Sequence, residues 1–133
     1  GIDNEPGEEV IDNLKNLCEN VLQPVREHFG KPVNINSGYR SPELNSAIGG
    51  SKTSDHCKGM AADIEIRGID NGDIAEWIQE NCDFRQLILE FYTPGVGDSG
   101  WVHVSYNYEE NDKKVMTALK EDGRTVYKLG LIK

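Results

Sequence analysis

The chain has 133 residues, of which 37% are hydrophobic, and a formal net charge of −9. This length suits one domain around one core, so we expect residues 1–133 to form a single domain. The negative charge argues against a nucleic-acid or anionic-membrane partner, since both need a basic patch, and no apolar run approaches the roughly 18–20 residues of a membrane span.

The first third of the chain predicts two helices separated by a short strand. Apolar residues recur at helical spacing from Glu8 to Phe29, with Cys18 among the expected core residues. Pro24 is expected to end or kink this helix. A strand over residues 33–36 follows, and then a helix from Pro42 to Ile48.

The rest of the chain predicts a small sheet with one more helix. We expect a polar loop from Ser51 to Gly59, a helix from Asn71 to Glu80, and a hairpin turning at Asp122 and Gly123. The expected strands are Ala61–Ile66, Gln86–Tyr92, Trp101–Tyr106, Val115–Leu119 and Thr125–Tyr127. Together these elements predict an α+β domain with a small antiparallel sheet and helices packed on one side.

Polar side chains fall on one face of three of these strands. Successive side chains point to opposite faces, so Ala62, Ile64 and Ile66 are separated from Asp63. By the same alternation His103 lies opposite Val102 and Val104, and Gln86 and Glu90 lie opposite the leucines of their strand. If the strands share one sheet, Asp63, His103, Gln86 and Glu90 line a common polar surface, with His56 reaching in from the preceding loop.

Two imidazoles and one carboxylate form a common catalytic zinc site with a fourth position open to water, which suits carbonyl hydrolysis. The plain alternative is that each of these histidines and the aspartate is an ordinary packed or solvated side chain. That alternative is favoured for His28, which lies near a helix end where a positive charge suits the dipole. The cysteines are odd in number and lack a C-x-x-C pair, so neither a disulfide framework nor a thiolate zinc site is expected.

Three sequence blocks carry a family resemblance. Ser54-Asp55-His56-Cys57-Lys58-Gly59-Met60-Ala61-Ala62-Asp63 matches S-x-H-x-x-G-x-A-x-D, Trp101-Val102-His103-Val104 matches the second half of the signature, and Ser37-Gly38-Tyr39-Arg40-Ser41-Pro42 matches an upstream block. In order and spacing they resemble the zinc D-alanyl-D-alanine carboxypeptidase family, whose fold the Hedgehog signalling domain shares. The resemblance covers roughly residues 8–130 and is strongest to small single-domain members of phages and bacteria.

The resemblance implies a role for each matched residue. His56, Asp63 and His103 would bind Zn²⁺. Arg40 would bind the substrate's carboxylate or steady the oxyanion, as its guanidinium fork allows. Ser54 would orient His56 or contact the substrate. The other substrate contacts expected in these blocks and on the polar strand face are Ser37, Tyr39 and Gln86.

The general base is less clearly marked. Many relatives place Glu or Asp three residues before the second histidine, where this chain has Gly100. We expect Asp98, in the loop before His103, to be the base, with Glu90 as the rival or as a group that orients a zinc-bound histidine. Arg85 replaces an acidic residue of many relatives, which predicts an altered contact in the pocket.

The resemblance therefore implies a zinc peptidase, expected to be monomeric, that cuts peptidoglycan stem peptides as a carboxypeptidase or an endopeptidase. The polar start from Gly1 to Val10 does not predict a signal peptide, and a phage-type enzyme that is made in the cytoplasm and released to the cell wall would need none. The alternative is a non-enzymatic, zinc-bearing binding module of the same fold.

Overall fold

The computed structural model describes residues 4–50 and 54–133, so residues 51–53 of the predicted loop and 1–3 of the acidic start lie outside it. The helices are α1 (Glu8–Leu17), α2 (Gln23–Phe29), α3 (Pro42–Ala47) and α4 (Asn71–Asn81), with a π turn at Cys18–Leu22 and a 3₁₀ turn at Asp55–Lys58. The strands are β1 (Asn34–Ser37), β2 (Ala61–Glu65), β3 (Gln86–Glu90), β4 (Trp101–Ser105), β5 (Lys114–Glu121) and β6 (Arg124–Leu129). None of the described helices is long and apolar enough to cross a membrane.

The first helical segment continues through Pro24 instead of ending there. The π turn joins α1 to α2, and within it the Gln23 N–H bonds to the Cys18 carbonyl five residues earlier. A helical turn that contains one extra residue can accommodate a proline, which has no N–H to donate. The segment ends at Gly30, whose φ of +67° is left-handed.

The expectation that Cys18 belongs to the core was wrong, because its side chain is exposed. The π turn shifts the apolar stripe at this point. Leu17, Val21 and Leu22 face the core, and Cys18 lies at the edge of the stripe. Helical spacing counted at a constant 3.6 residues per turn cannot register such a shift.

All six strands form one sheet in the order β1-β2-β4-β3-β5-β6. The predicted α+β class is confirmed, with one difference from the antiparallel sheet expected: β3 and β5 run parallel. After β4 the chain crosses the start of β3 and then forms β5 on the side of β3 that faces away from β4. There the Lys113 and Lys114 N–H groups bond to the Phe84 and Arg85 carbonyls.

The core lies between one face of this sheet and the two longer helical segments. Its fully buried side chains come from α1 to α2, α4 and the three central strands, and include Leu17, Val21, Val25, Ile64, Ile74, Ile78, Leu87, Leu89, Val102 and Val104. His28 stacks on Trp77 with ring centroids 4.6 Å apart, at the edge of this layer. The opposite face of the central strands is left for polar side chains.

Three positive φ angles shape the edges of the sheet. The predicted hairpin is present, with Asp122 and Gly123 at φ of 50° and 77° between β5 and β6, as a type I′ turn requires. The other angle is the φ of 55° at Phe91, where β3 ends. It turns Phe91 away from the leucine face, where alternation had placed it, so that its ring meets Trp101 with centroids 5.4 Å apart.

Candidate metal centre

His56, Asp63 and His103 converge on one point of the polar sheet face. Asp63 and His103 are register partners on the neighbouring strands β2 and β4, so their side chains emerge side by side. His56 enters from the 3₁₀ turn just before β2. Each residue offers one ligand atom, and the three atoms lie within 4.8 Å of one another. All three side chains are buried.

The backbone around His56 fixes which ring nitrogen faces the site. Ser54 Oγ accepts a hydrogen bond from the His56 N–H at 3.2 Å. His56 Nδ1 lies 2.7 Å from the Gly38 carbonyl, to which it donates, so Nε2 is the ring nitrogen left to face Asp63 Oδ1 at 3.3 Å. Such a backbone partner is typical of a metal-binding imidazole, because it sets the tautomer and the ring orientation.

The structure gives a steric reason for the glycine at position 59 of the ten-residue motif. It has a φ of +72°, and a Cβ at this position would lie 2.7 Å from the Val10 carbonyl oxygen. The first helix therefore packs directly on the turn that carries His56, and only glycine fits between them.

The three donors fit a zinc ion. Asp63 Oδ1 lies 3.3 Å from His56 Nε2 and 3.0 Å from His103 Nδ1. Ligands at 2.0–2.2 Å on a tetrahedral ion are roughly 3.3–3.5 Å apart, so small side-chain movements would complete the shell. Burial alone would raise the pKa of Asp63, but hydrogen bonds and positive charge from His103 and His56 outweigh it and hold that pKa well below its usual range. Asp63 is thus kept as a carboxylate, the form that binds metal.

Arg40 is fixed beside this group at three points. Its Nε donates to Ser37 Oγ at 3.0 Å, its Nη1 donates to Asn45 Oδ1 at 3.1 Å, and its Nη2 lies 3.6 Å from Asp63 Oδ2. Its own N–H bonds to the His56 carbonyl. The guanidinium is therefore rigid, with remaining Nη2 donors next to the metal position. Asn45 carried no signal in the sequence, because it lies on a helix without a motif.

Glu90 lies on the same face as His103, two register pairs further along the sheet. It is the register partner of Trp101, whose Nε1 donates to Glu90 Oε2. Burial raises the pKa of Glu90, with a further increase from Asp63, and the positive charge of His103 and the Trp101 hydrogen bond oppose it only in part. A carboxylate at position 100 is sterically excluded, since a Cβ there would lie 1.9 Å from the Glu90 carbonyl oxygen.

Asp98 is placed elsewhere, against the expectation that its loop would bring it over the metal position. It lines a second cavity with Glu65, Asp70 and Asn71, and is not among the described residues that line the cleft of His56 and His103. The loop is held in this course partly by Asn71, whose buried side chain donates to the Ser99 and Gly100 carbonyls.

The metal group lies in an open cleft of about 950 Å³. Of the other expected substrate contacts, Ser54 and Gln86 line this cleft, while Ser37 supports Arg40 from behind and Tyr39 is not among the described lining residues. The full lining is Arg40, Ser54, Asp55, His56, Lys58, Asp63, Arg85, Gln86, Ile88, Glu90, His103, Asp112, Lys114, Met116 and Tyr127. The β5 and β6 residues among them were missed, because nothing in the sequence signals that β5 pairs with β3.

Comparison with known proteins agrees with this geometry. The family described as peptidase M15 matches residues 1–105, a segment that contains all three candidate ligands. Zinc D-Ala-D-Ala carboxypeptidase of Streptomyces albus G is 46% identical over 44 residues, which are 32% of this chain and 17% of that relative. The chain thus spans under a fifth of the length of this curated relative. On the extent of the family match, the chain belongs to the peptidase M15 family.

Proposed function

We propose that this protein is a zinc-dependent peptidase that hydrolyses peptide bonds in peptidoglycan stem peptides, as a carboxypeptidase or an endopeptidase of cell-wall lysis or remodelling. The observation that carries the proposal is the convergence of His56, Asp63 and His103 within 4.8 Å in an open cleft. Family membership supports peptide hydrolysis, and the name of the Streptomyces relative supports zinc and a D-Ala-D-Ala substrate.

Zinc suits the site better than a harder cation. Two imidazole nitrogens and one carboxylate oxygen are the donor set of many catalytic zinc sites, whereas Mg²⁺ and Ca²⁺ prefer oxygen alone. When bound, zinc supplies a Lewis acid that polarises a carbonyl and lowers the pKa of a water molecule towards neutrality.

Glu90 is the general base that we favour over Asp98. It shares the cleft with His103, and its raised pKa has burial as its largest cause. A carboxylate with a raised pKa suits a group that must take a proton and pass it on near neutral pH. Glu90 would accept the proton of the attacking water and deliver it to the leaving amine.

Arg40 would stabilise the negative charge that develops on the scissile carbonyl oxygen. Its Nη2 lies near Asp63, and its other two nitrogens are held by Ser37 and Asn45. A donor fixed in this way needs no reorganisation as the charge forms, which is the condition for a large electrostatic effect.

The proposal is tested by zinc content and by hydrolysis of an acetylated peptide ending in D-Ala-D-Ala, with purified peptidoglycan as a second substrate. We expect one zinc per chain, lost in the His103→Ala variant. We expect Glu90→Gln to retain zinc and to lower kcat at least 100-fold, as loss of a general base does. The matched control, Asp98→Asn, should stay within about twofold of wild type.

Each other result has a definite meaning. A zinc-free protein would contradict the metal site. A zinc-loaded wild type that releases nothing from the peptide or from several peptidoglycan types would favour the non-enzymatic binding module. If Asp98→Asn abolished turnover and Glu90→Gln did not, the base would be Asp98.

A further inference from the structure

The cleft has a basic wall at some distance from the metal position. The wall comprises Lys58, Arg85 and Lys114, and the Lys114 N–H bonds to the Arg85 carbonyl at 3.1 Å. Three cations meet here in a chain whose net charge is −9. A local excess of positive charge on an acidic protein marks a place where an anion is favoured.

One buried carboxylate orients this wall. Asp55 Oδ2 lies 3.5 Å from Arg85 Nε, and their side chains are 9% and 40% exposed, respectively. The contact engages Nε of a guanidinium that lines the cleft, and no described residue bonds to its Nη groups. Asp55 and Lys58 are three residues apart in the 3₁₀ turn, where such side chains lie on the same face.

The balance of charge in the wall remains positive. With Asp55 and Asp112, three cations meet two carboxylates in the wall, and Asp55 is largely shielded from solvent. The other charged residues of the cleft lining, Arg40, Asp63 and Glu90, belong to the metal end. The side chains of Lys58 and Lys114 have no recorded polar partner among the described residues. These two ammonium groups and the Arg85 fork are therefore available to a ligand.

Arg40 is a poor candidate for binding a substrate carboxylate. Each of its three nitrogens already contacts Ser37, Asn45 or Asp63, and its side chain is 14% exposed. Its remaining Nη2 donors lie next to the metal position, so an anionic group of the substrate that is distant from the scissile bond needs a different set of cations. The basic wall is the set that the cleft offers.

The strand register gives the distance between the wall and the metal position. His103, Ile88 and Met116 form one row across β4, β3 and β5, and Ser105, Gln86 and Lys114 form the row two residues further along. Strands are about 4.8 Å apart and residues about 3.4 Å apart along them, so Lys114 and His103 are separated by roughly 10–12 Å. An extended peptide spans at most about 3.6 Å per residue, so it covers that distance in about three residues.

We propose that the basic wall of Lys58, Arg85 and Lys114 binds a carboxylate of the substrate located about three residues from the scissile bond. This inference rests on the proposed peptidase function and adds a substrate class to it: acidic peptides. Gln86, between the wall and Glu90 on the same strand face, is placed to bond to the peptide backbone that links the two.

The test compares two peptides, acetyl-Glu-Gly-D-Ala-D-Ala and acetyl-Gln-Gly-D-Ala-D-Ala, on the zinc-loaded protein. For wild type we expect a five- to tenfold lower KM for the Glu peptide, shrinking as salt rises because the charges are partly exposed. The Arg85→Gln/Lys114→Gln double variant should lose this preference. The control Lys128→Gln should keep it, because Lys128 of β6 pairs with Glu121 of β5 and lies outside the cleft lining.

A wild type without preference between the peptides, or a preference that survives in the double variant, would overturn the inference while leaving the peptidase function standing. If neither peptide is cleaved, the peptidoglycan assay decides the proposed function, and calorimetric binding of the same two peptides decides the inference separately. Tighter binding of the Glu peptide that depends on Arg85 and Lys114 would support the wall, and equal binding would refute it.

Discussion

Arg40 shows how a side chain outside the sequence motifs can control the position of a motif residue. Its Nη1 depends on Asn45, which is 3% exposed, and Asn45 is itself confined by Gly50, where a Cβ would lie 2.0 Å from Asn45 Oδ1. The backbone after α3 therefore packs closely against Asn45, the residue that positions the Arg40 guanidinium. His56 is held in a comparable way by the Gly38 carbonyl.

Asn45→Ala is expected to lower kcat by about 10- to 100-fold and to leave the zinc content unchanged. The substitution removes one of three anchors and frees Arg40 to leave the position where charge develops, and misplacement by about 1 Å costs this much. Steady-state kinetics with metal analysis provide the measurement. Asn45→Asp keeps an acceptor oxygen for Nη1 and should retain most activity. A wild-type kcat in Asn45→Ala would show that Arg40 needs no such support.

At the scale of elements, the connection between β3 and β4 determines where the acidic groups lie. Asn71 at the start of α4 holds the Ser99 and Gly100 carbonyls, and Gly100 then passes against the Glu90 backbone. This course keeps Asp98 on the far side and leaves Glu90 beside Trp101 in the cleft.

Gly100→Ala is expected to lower the free energy of unfolding by about 3 kcal/mol or more. It adds a Cβ 1.9 Å from the Glu90 carbonyl oxygen at a φ of +62°, so both a clash and backbone strain result. Gly95→Ala in the same connection is the control. Gly95 also has a positive φ, but nothing lies within 4 Å of its Cβ position, so we expect a loss of about 1 kcal/mol. Equal losses in urea unfolding would contradict the steric account.

Cys82, the C-cap of α4, predicts a pH dependence of stability. Burial, with a smaller effect of Asp83 and against the effect of Lys113, raises the pKa of its thiol to about 11. Between pH 9 and 11 the unfolded chain loses this proton before the folded chain does, so the folded state is destabilised as pH rises.

We expect wild type to lose roughly 2 kcal/mol more than Cys82→Ala between pH 8 and pH 10.5, each measured against its own value at pH 8. Urea unfolding at the two pH values gives the comparison, and the shared titration of lysines and tyrosines cancels in the difference. Parallel losses in the two proteins would show that the thiol ionises equally in both states.

At the scale of the whole molecule, the sequence predicted what depends on local periodicity. Alternation along the strands placed Asp63, His103, Gln86 and Glu90 on one face, and the register pairs of β2, β3 and β4 have that arrangement. The glycine turn at Asp122 and Gly123 predicted the hairpin. These features follow from the period of two and from turn chemistry, which neighbouring residues fix by themselves.

The features that could not be predicted depend on distant parts of the chain. The parallel pairing of β3 with β5, which brings Lys114 to the cleft, depends on the path of the segment between Ser105 and Lys114. Asp98 lies away from the metal position because of side-chain contacts made by Asn71. The π turn that exposes Cys18 accommodates Pro24, and it shifts the helical period of the apolar residues, which counting along the sequence takes as constant at about 3.6 residues.

Removing zinc should destabilise the whole fold, because the three candidate ligands join β2, β4 and the 3₁₀ turn. At a free zinc concentration 1,000 times Kd, binding to the folded state alone adds about 4 kcal/mol, so we expect EDTA to lower the Tm of the zinc-loaded protein by roughly 15 °C. Differential scanning calorimetry gives the measurement. His103→Ala, which lacks one ligand, should have the same Tm with and without EDTA. Because Asp63 Oδ1 is already within 3.3 Å of both imidazoles without an ion, the metal-free protein should still unfold cooperatively. A wild-type Tm that does not respond to EDTA would contradict a metal bridge between these elements.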